Sequence, residues 1–515
     1  MTERPRFYIT TPIYYVNDVP HIGHMYTTLA CDVFARFKRL DGYDVHFLTG
    51  TDEHGQKVQK AAAAAGVSPQ DFTDGVSANF QELARSMGFS NDDFIRTTEE
   101  RHKRACTALW NTLVARDQIY LETYAGWYAV RDEAFYAESE LVKDAAGAWV
   151  APSGAPVDWV EEPSYFFRLS AWQDRLLAFY EEQPDFILPS ARRNEVISFV
   201  RGGLQDLSVS RTTFNWGIPV PGDPAHVMYV WLDALTNYIT AVNYPDMSDP
   251  KFVRYWPADV HIVGKDILRF HAVYWPALLM AADVPPPRRV FAHGWWTNEG
   301  QKISKSLGNV IDPKDLVARY GLDPVRYFML REVPFGQDGD FSHRAMVGRI
   351  NGDLANDLGN LAQRVLSMIG RYCASRVPIP AGFSETDRDL LDAASGLLEA
   401  MRANLDRQAP HTALVEMWEV VSVANGYVAK QAPWTLRKTD PARMQTVLFV
   451  AVETLRRLAI LTQPFMPGAA AQLLDQLCVP VEQRSFATID VDHAMLPGTL
   501  LPTPTGVFPR FVDKP

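Results

Sequence analysis

A polar turn between a short strand and a long helix near the start of the chain limits its folding choices most. Arg6-Phe-Tyr-Ile-Thr-Thr11 alternates and is rich in β-branched and aromatic residues, the pattern of a strand. Ile22, Met25, Leu29, Val33, Phe37 and Leu40 then recur at three- and four-residue spacing, as on a core-facing helix, and Gly42 falls where a helix stop belongs. Between them, Asn17-Asp-Val-Pro-His-Ile-Gly-His-Met25 places His21 and His24 at the helix N-terminus. Free N–H groups and the positive end of the dipole point there, which suits phosphate oxygens. Gly23 lets a bulky ligand approach the backbone, and the imidazoles add donors one helical turn apart. A polar helix start with a histidine used as a cap accounts for the same residues.

Two further stretches carry chemistry. The apolar run at 45–48 reads as a strand, and Thr49-Gly-Thr-Asp-Glu-His-Gly55 follows it at the carboxyl edge, where open α/β sheets bind ligands. Asp52 there is suited to an ammonium group, or else caps a helix starting near Glu53. Gly300-Gln-Lys-Ile-Ser-Lys-Ser-Leu-Gly-Asn309 interleaves Lys302 and Lys305 with Ser304 and Ser306 between glycines. Such a loop suits a polyphosphate, because ammonium groups neutralise developing charge and glycines permit closure. Alone it reads more simply as a solvated basic loop; together with the histidine helix the balance reverses and the phosphate reading prevails.

Strand–helix alternation through residue 118 predicts a doubly wound parallel sheet. From 119 to 213 the texture turns aromatic and alternating, with Gly and Pro between short runs, as in a small antiparallel insertion. Arg101-His-Lys-Arg104 and Arg192-Arg193 are local basic clusters, most simply solvated helix faces. The sheet is expected to resume at Val227-Met-Tyr-Val-Trp-Leu-Asp-Ala-Leu235 and to continue through Asp259-Val-His-Ile-Val263 and Val290-Phe-Ala-His293. After Phe341 the periodicity is helical, with long segments at 344–373, 385–407, 410–431 and 441–463. The expected fold is therefore α/β: a Rossmann-like parallel sheet split by a β-rich insertion, then an α-helical bundle. Its divisions are 1–118, 119–213, 214–290, 291–341 for the lysine-loop region, 342–478 for the bundle and 479–515 for an extended tail.

Composition narrows the class. The 515 residues are 47% hydrophobic, as in a well-cored globular protein, and the apolar runs fall far short of the ~20 residues of a membrane span. The first residues lead straight into a strand with no signal-peptide character, so a cytoplasmic location is expected. A formal charge of −11 argues against broad nucleic-acid coating but leaves room for RNA held by local basic patches. Cys31, Cys106, Cys373 and Cys478 are scattered in apolar helical sequence, so they should be buried small hydrophobes, with no disulfide framework and no metal knuckle.

His21-Ile-Gly-His24 and Lys302-Ile-Ser-Lys-Ser306, in that order within a split parallel sheet, resemble the paired signatures of class I aminoacyl-tRNA synthetases. The second has Ile where that class most often has Met. Over nearly its whole length the chain is similar to the methionyl-tRNA synthetase family. That likeness rests on Thr11-Pro-Ile-Tyr-Tyr-Val-Asn17, Leu48-Thr-Gly-Thr-Asp-Glu-His-Gly55, Tyr229-Val-Trp-Leu-Asp-Ala234, Val263-Gly-Lys-Asp266 and Ala429-Lys-Gln-Ala-Pro-Trp434. The resemblance implies a methionine pocket of Ile13, Tyr15, Trp231, Ala234, Leu235, Tyr238, His271 and Trp275, with Asp52 on the amino group. It implies that His21, His24, Lys302 and Lys305 are catalytic, and that Gly23, Arg211, Gly264, Lys265, Asp266, Ser304 and Ser306 bind ATP, which enters with Mg2+. Asn360, Arg364 and Trp434 match anticodon-reading positions for initiator and elongator tRNA(Met). Trp434 is otherwise a core tryptophan, although its place after Pro433, where a helix stops, favours an exposed ring.

Two departures matter. Relatives with zinc knuckles carry cysteines in the insertion; here Ala129 and Asp132 stand in their place, and 145–153 has no cysteine or histidine. No structural zinc is expected, with aromatic packing holding the insertion instead. The chain also ends without the appended tRNA-binding domain that dimerises some relatives, so a monomer is expected. Three alternatives stay open: a class I synthetase for another apolar amino acid, an RNA-independent adenylyltransferase, and a non-catalytic RNA-binding paralogue.

Overall fold

Neighbouring parallel strands need a crossover connection, usually a helix, and that pairing organises the first half of the chain. The computed structural model describes residues 4–16, 19–129, 131, 134–136, 138–144, 146–303 and 308–512. Its main sheet has seven strands. Six run in the order Ile187–Leu188, Val290–His293, Val260–Gly264, Arg6–Thr10, Asp44–Asp52, Tyr14–Tyr15, and Asp93–Arg96 also pairs with Asp44–Asp52. Ile9 lies opposite Val260 and Leu48 opposite Asp93, both in parallel register. Arg6–Thr10 is flanked by Asp44–Asp52 on one side and by the much later Val260–Gly264 on the other. The boundary with Val260–Gly264 is a topological switch point, the place where such sheets bind ligands beyond their carboxyl ends. Residues 11–13 and 265–266 follow those two strands there.

The insertion is antiparallel. Ile119–Ala129 pairs with Asp158–Phe167 from Ile119 opposite Phe167 to Tyr128 opposite Asp158, with Ala134–Tyr136 and Leu207–Ser208 on the flanks. Ala129, at the expected knuckle position, is buried with Ala151 and Ala155 against Tyr136 and Val157, and Trp127 meets Trp159 edge-on at 5.4 Å. Asp132 lies outside the described residues.

Two expectations need correcting. The sheet does not resume at Val227–Leu235: Asp223–Met228 joins a separate three-stranded antiparallel sheet, and Val230–Leu235 is a short helix. A short, almost wholly apolar run has no period that separates a buried strand from a buried helix, and Leu232, Ala234 and Leu235 are all buried. The cysteines also divide. Cys31 and Cys106 are buried, Cys373 is half-buried and Cys478 is exposed. Cys478 lies just past the end of the helix Pro467–Gln476 with a left-handed φ of 55°, so it has left the apolar stripe that suggested burial.

The chain forms two compact units, Tyr8–Pro20 with His46–Ala292, and Met1–Phe7 with His21–Val45 and His293–Pro515. The second holds the helix Ile22–Leu40 and the long helices Glu385–Asp406, Pro410–Gln431 and Pro441–Thr462, the last two begun by proline, which lacks only an N–H that would be unpaired there. Its C-terminal segment bonds back through Val377 N–H to Thr499 O and Phe511 N–H to Asn351 Oδ1. No helix among the described residues is long and apolar enough to cross a membrane.

Candidate functional site

At the start of Ile22–Leu40 the cap reading and the ligand reading turn out to be compatible. His21 is the N-cap: its Nδ1 accepts the Gly23 N–H at 3.1 Å, while His24 Nδ1 accepts the His21 N–H at 3.1 Å. With both Nδ1 atoms accepting, a neutral ring carries its proton on Nε2. Burial lowers the pKa of His21, and burial followed by the neighbouring His21 ring lowers that of His24 well below the usual histidine range. The pair therefore offers two neutral Nε2–H donors. The backbone contributes less than the sequence suggested, because Gly23 N–H is taken by His21 and Ile22 N–H donates to Ile311 O at 3.2 Å. Gly23 also has a local cause: a Cβ there would sit 3.0 Å from His21 Cε1.

In the same unit Lys302 closes a short hairpin, Trp296–Asn298 with Gln301–Lys302. Its two-residue turn has positive φ at both Glu299 (50°) and Gly300 (76°), as a tight hairpin requires. Asn309 Nδ2 donates to Lys302 O at 3.0 Å, and Asp340 Oδ1 accepts the Gly300 N–H at 2.8 Å. Lys305, Ser304 and Ser306 lie outside the described residues. Further along, Asn360 opens the helix Asn360–Tyr372 just after a π-helical stretch, Ile350–Gly359. The Arg364 guanidinium lies 5.9 Å from the Trp434 ring, which is 43% exposed and follows Ala432 in the left-handed conformation. Trp434 is not a core tryptophan.

The other unit holds an apolar, aromatic pocket. Tyr15 lies in register with Asp52, which ends its strand and is buried. Asp52 caps no helix, since the next one begins at Gln56 with Gly55 as N-cap. On the helix Val230–Leu235, Trp231 stacks on Phe270 with centroids 3.4 Å apart and planes 13° apart, and Ala234 and Leu235 are buried. A π-helical turn, Phe270–Tyr274, presents His271. Its Nδ1 lies 2.9 Å from Ile267 O, which only accepts, so Nε2 must accept the Tyr238 hydroxyl at 2.7 Å. Burial carries His271 down to about 4, against the opposing bond to Ile267, and the ring is neutral. Tyr238 also stacks on His261 at 4.1 Å, itself bonded to Thr10 Oγ1 at 2.8 Å. Ile13 packs against the same core, and Trp275 is fully buried.

Beside these groups opens a cleft of about 610 Å3 whose lining includes Arg211, Tyr229, Trp231, Lys265, Asp266 and Phe270. Arg211 is held by Ser208 Oγ and Ser210 O, each at 2.6 Å, with its guanidinium 3.6 Å from the Tyr229 ring centroid. Gly264 precedes the single turn that bears Lys265 and Asp266. Sequence reasoning missed Phe270, Tyr229, Glu53, His54 and Asp233. Phe270 was legible from its spacing with Tyr274, and Asp233 as the lone charge in an apolar run. The Arg101–Arg104 cluster is not a solvated face throughout: His102 is fully buried.

Comparison with known proteins gives a consistent result. A family model described as tRNA synthetases class I (M) matches residues 7–366, and one for the anticodon binding domain of methionyl tRNA ligase matches 377–514. The chain is 58% identical over 511 residues to the methionine–tRNA ligase of Brucella suis biovar 1 (strain 1330), covering 99% of each chain. It is 55% identical over 509 residues to that of Mycobacterium bovis, covering 98% of each. Among solved structures it is similar to Mycobacterium tuberculosis methionyl-tRNA synthetase in complex with methionyl-adenylate, with a TM-score of 0.96 and 54% identity over 99% of this chain and 100% of that one. The free-state form of that enzyme gives 0.90, with 51% identity over 99% of each chain.

Proposed function

The chain belongs to the methionyl-tRNA synthetase family of class I aminoacyl-tRNA synthetases, and from that premise we propose how its own residues carry out the ligase reaction. The enzyme activates methionine with ATP to methionyl-adenylate and transfers the methionyl group to the 3′ end of tRNA. In the first step the methionine carboxylate attacks the α-phosphorus of Mg·ATP in line and pyrophosphate leaves. The carboxylate is already a competent nucleophile, so catalysis reduces to positioning and charge stabilisation. In the second, the terminal adenosine hydroxyl of the tRNA attacks the acyl group and AMP leaves.

Within this scheme Asp52 holds the substrate ammonium group, while Trp231, Ala234, Leu235, Tyr238, His271, Trp275, Ile13 and Tyr15 enclose the thioether side chain. Sulfur–aromatic contacts favour such a pocket. A neutral His271 suits it better than an imidazolium, which would have to be desolvated beside an uncharged thioether. His21 and His24 donate Nε2–H to phosphate oxygens, Gly23 gives them room, and Lys302 and Lys305 stabilise the leaving pyrophosphate. Ser304 and Ser306 accompany the lysines. Arg211, Lys265 and Asp266 contact ATP from the cleft, and Gly264, just before Lys265, contacts it too. Asn360, Arg364 and Trp434 read the anticodon from the helical region 342–478, by stacking and by hydrogen bonds to base edges.

The observation that carries this reading is the neutral Tyr238–His271 pair, bonded to each other and to Ile267 O, next to the stacked Trp231–Phe270 rings, an apolar and aromatic recognition surface. ATP–pyrophosphate exchange scanned over the amino acids, followed by charging of initiator and elongator tRNA(Met), tests it. Exchange with another amino acid, or with none, would overturn it. We further propose a monomeric, cytoplasmic enzyme without structural zinc. The alanine cluster at Ala129, Ala151 and Ala155 supports the last point, since it packs the insertion without a thiolate. Light scattering of the purified protein checks the oligomeric state and elemental analysis the zinc; a stoichiometric, tightly held zinc would refute the last point.

A further inference from the structure

Behind the pocket helix lies a polar network that the reaction scheme leaves unused. Asp233, 1% exposed, receives His54 Nδ1 on Oδ2 at 2.6 Å and His102 Nε2 on Oδ1 at 2.8 Å. Cys106 Sγ lies 3.2 Å from the same His102 nitrogen, and His102 Nδ1 is 3.2 Å from Thr240 Oγ1. His102, Cys106 and Asp233 bring three ligand-type atoms within 4.8 Å of one another. The geometry is nevertheless that of hydrogen bonds: donors around a tetrahedral zinc stand roughly 3.3–3.7 Å apart, wider than either imidazole–carboxylate contact here. Burial pushes the Asp233 carboxyl up, but His54 and His102 overcome it and hold the group at about 2.

The network ties together two parts of the candidate site. His54 sits two residues beyond Asp52, in a loop fixed at several points. Glu53 is fully buried and takes Arg96 on both oxygens at 2.6 and 2.9 Å. Trp216 Nε1–H donates to Glu53 O at 2.6 Å, the Gly55 N–H donates to Trp216 O at 3.0 Å, and the Trp216 ring meets His54 edge-on at 5.5 Å. Asp233 sits two residues beyond Trp231 and beside Ala234, on a helix of only six residues, Val230–Leu235. So short a helix has little stability of its own and takes its place from tertiary contacts. A buried carboxylate shared by two imidazoles is directional in a way apolar packing is not, and leaving either partner unmet is costly.

We propose that Asp233, gripped by His54 and His102, is a positioning residue for the amino-acid pocket: it locks the loop carrying Asp52 to the helix carrying Trp231 and Ala234, fixing the distance between the ammonium subsite and the side-chain subsite. The inference rests on the pocket assignment above. An α-amino acid is measured at two points, its charged amine and its side chain, so a rigid link between those points sets affinity and selectivity together.

The test uses the full chain and reads methionine KM, ATP KM and kcat in ATP–pyrophosphate exchange, with thermal melting alongside. Asp233→Asn and His54→Ala should each raise methionine KM by roughly tenfold or more while ATP KM stays within about twofold, because a small misplacement of one subsite is felt only by the ligand spanning both. His54→Asn puts a donor nitrogen where Nδ1 stood and should restore most of the affinity lost in His54→Ala; a merely structural histidine would show no such rescue in KM. The His54→Ala/Asp233→Asn double variant should be no worse than the poorer single one. If Asp233→Asn fails to fold, the His54 variants decide. Trp231→Ala serves as the control for the pocket itself. If Trp231→Ala raises methionine KM and the network variants do not, or if methionine and ATP KM rise together, the positioning role is overturned and the pocket stands. If Trp231→Ala leaves methionine KM unchanged, the pocket assignment falls and the inference with it.

Discussion

Removing the Asp32 carboxylate from the histidine helix is the most quantitative perturbation the structure offers. Asp32 is fully buried on Ile22–Leu40 and accepts Arg326 Nη2 at 2.7 Å and Arg36 Nε at 2.8 Å. Arg326 is also buried, and its remaining bonds go to Phe465 O at 2.8 Å and Pro464 O at 3.0 Å. Asp32→Ala strands this guanidinium without its bonded carboxylate, a change that costs about 3–5 kcal/mol when one partner of a buried pair is lost. Asp323 also faces Arg326 and softens the loss, bringing the expected value to the lower end, about 3 kcal/mol. Arg36 adds little, because it is partly exposed and returns to water. Asp32→Asn keeps the volume and one acceptor and should lose about 1.5–3 kcal/mol, the range for a hydrogen bond to a charged group. The double variant Asp32→Leu/Arg326→Met removes both charges and should recover most of the loss. Urea unfolding of the four proteins, followed by circular dichroism, measures this. An Asp32→Ala protein within about 1 kcal/mol of wild type, or a double variant no better than the single, would refute the reasoning.

Other outcomes follow from the same geometry. Lys302→Ala and Lys305→Ala should slow ATP–pyrophosphate exchange by about 10²-fold or more and change methionine binding far less, since in the proposed scheme the lysines act on charge that develops as pyrophosphate leaves; an unchanged exchange rate would refute the assignment. His271 titrates at about 4 in the fold against an unfolded value of 6.5, so below 6.5 the unfolded chain takes up a proton that the folded one refuses. Its contribution is complete above 6.5 and is lost as the pH falls, by about 3 kcal/mol at pH 4, and His271→Gln should flatten that part of the stability–pH curve in urea unfolding. Trp434→Ala should lower tRNA(Met) charging by about tenfold or more, because a stacked base is worth ~1–3 kcal/mol, and leave amino-acid-dependent exchange unaltered.

Local signals in the sequence were strong where one short stretch sets its own structure. The strand Arg6–Thr10, the helix from Ile22 with its stop at Gly42, and the helices at 385–406, 410–431 and 441–462 all follow from spacing, caps and prolines that act within a few residues. The histidine pair was visible as a pair, but the sequence set the cap against the phosphate ligand, and only the folded chain showed Nδ1 used for the cap with Nε2 left to carry the proton.

What the sequence could not decide involved partners far along the chain. Whether Val227–Leu235 was strand or helix depended on the distant residues packed against it, which no local period records. Whether Asp52 capped a helix depended on the strand running on through it to a start at Gln56. The role of His54 and His102 appeared only when Asp233, 179 and 131 residues away, was brought between them. Periodicity and capping report the free energy of a segment with itself and with an averaged apolar interior. Register, buried charge pairing and the tautomer of a buried imidazole depend on particular distant atoms, which only the folded chain brings within 3 Å of one another.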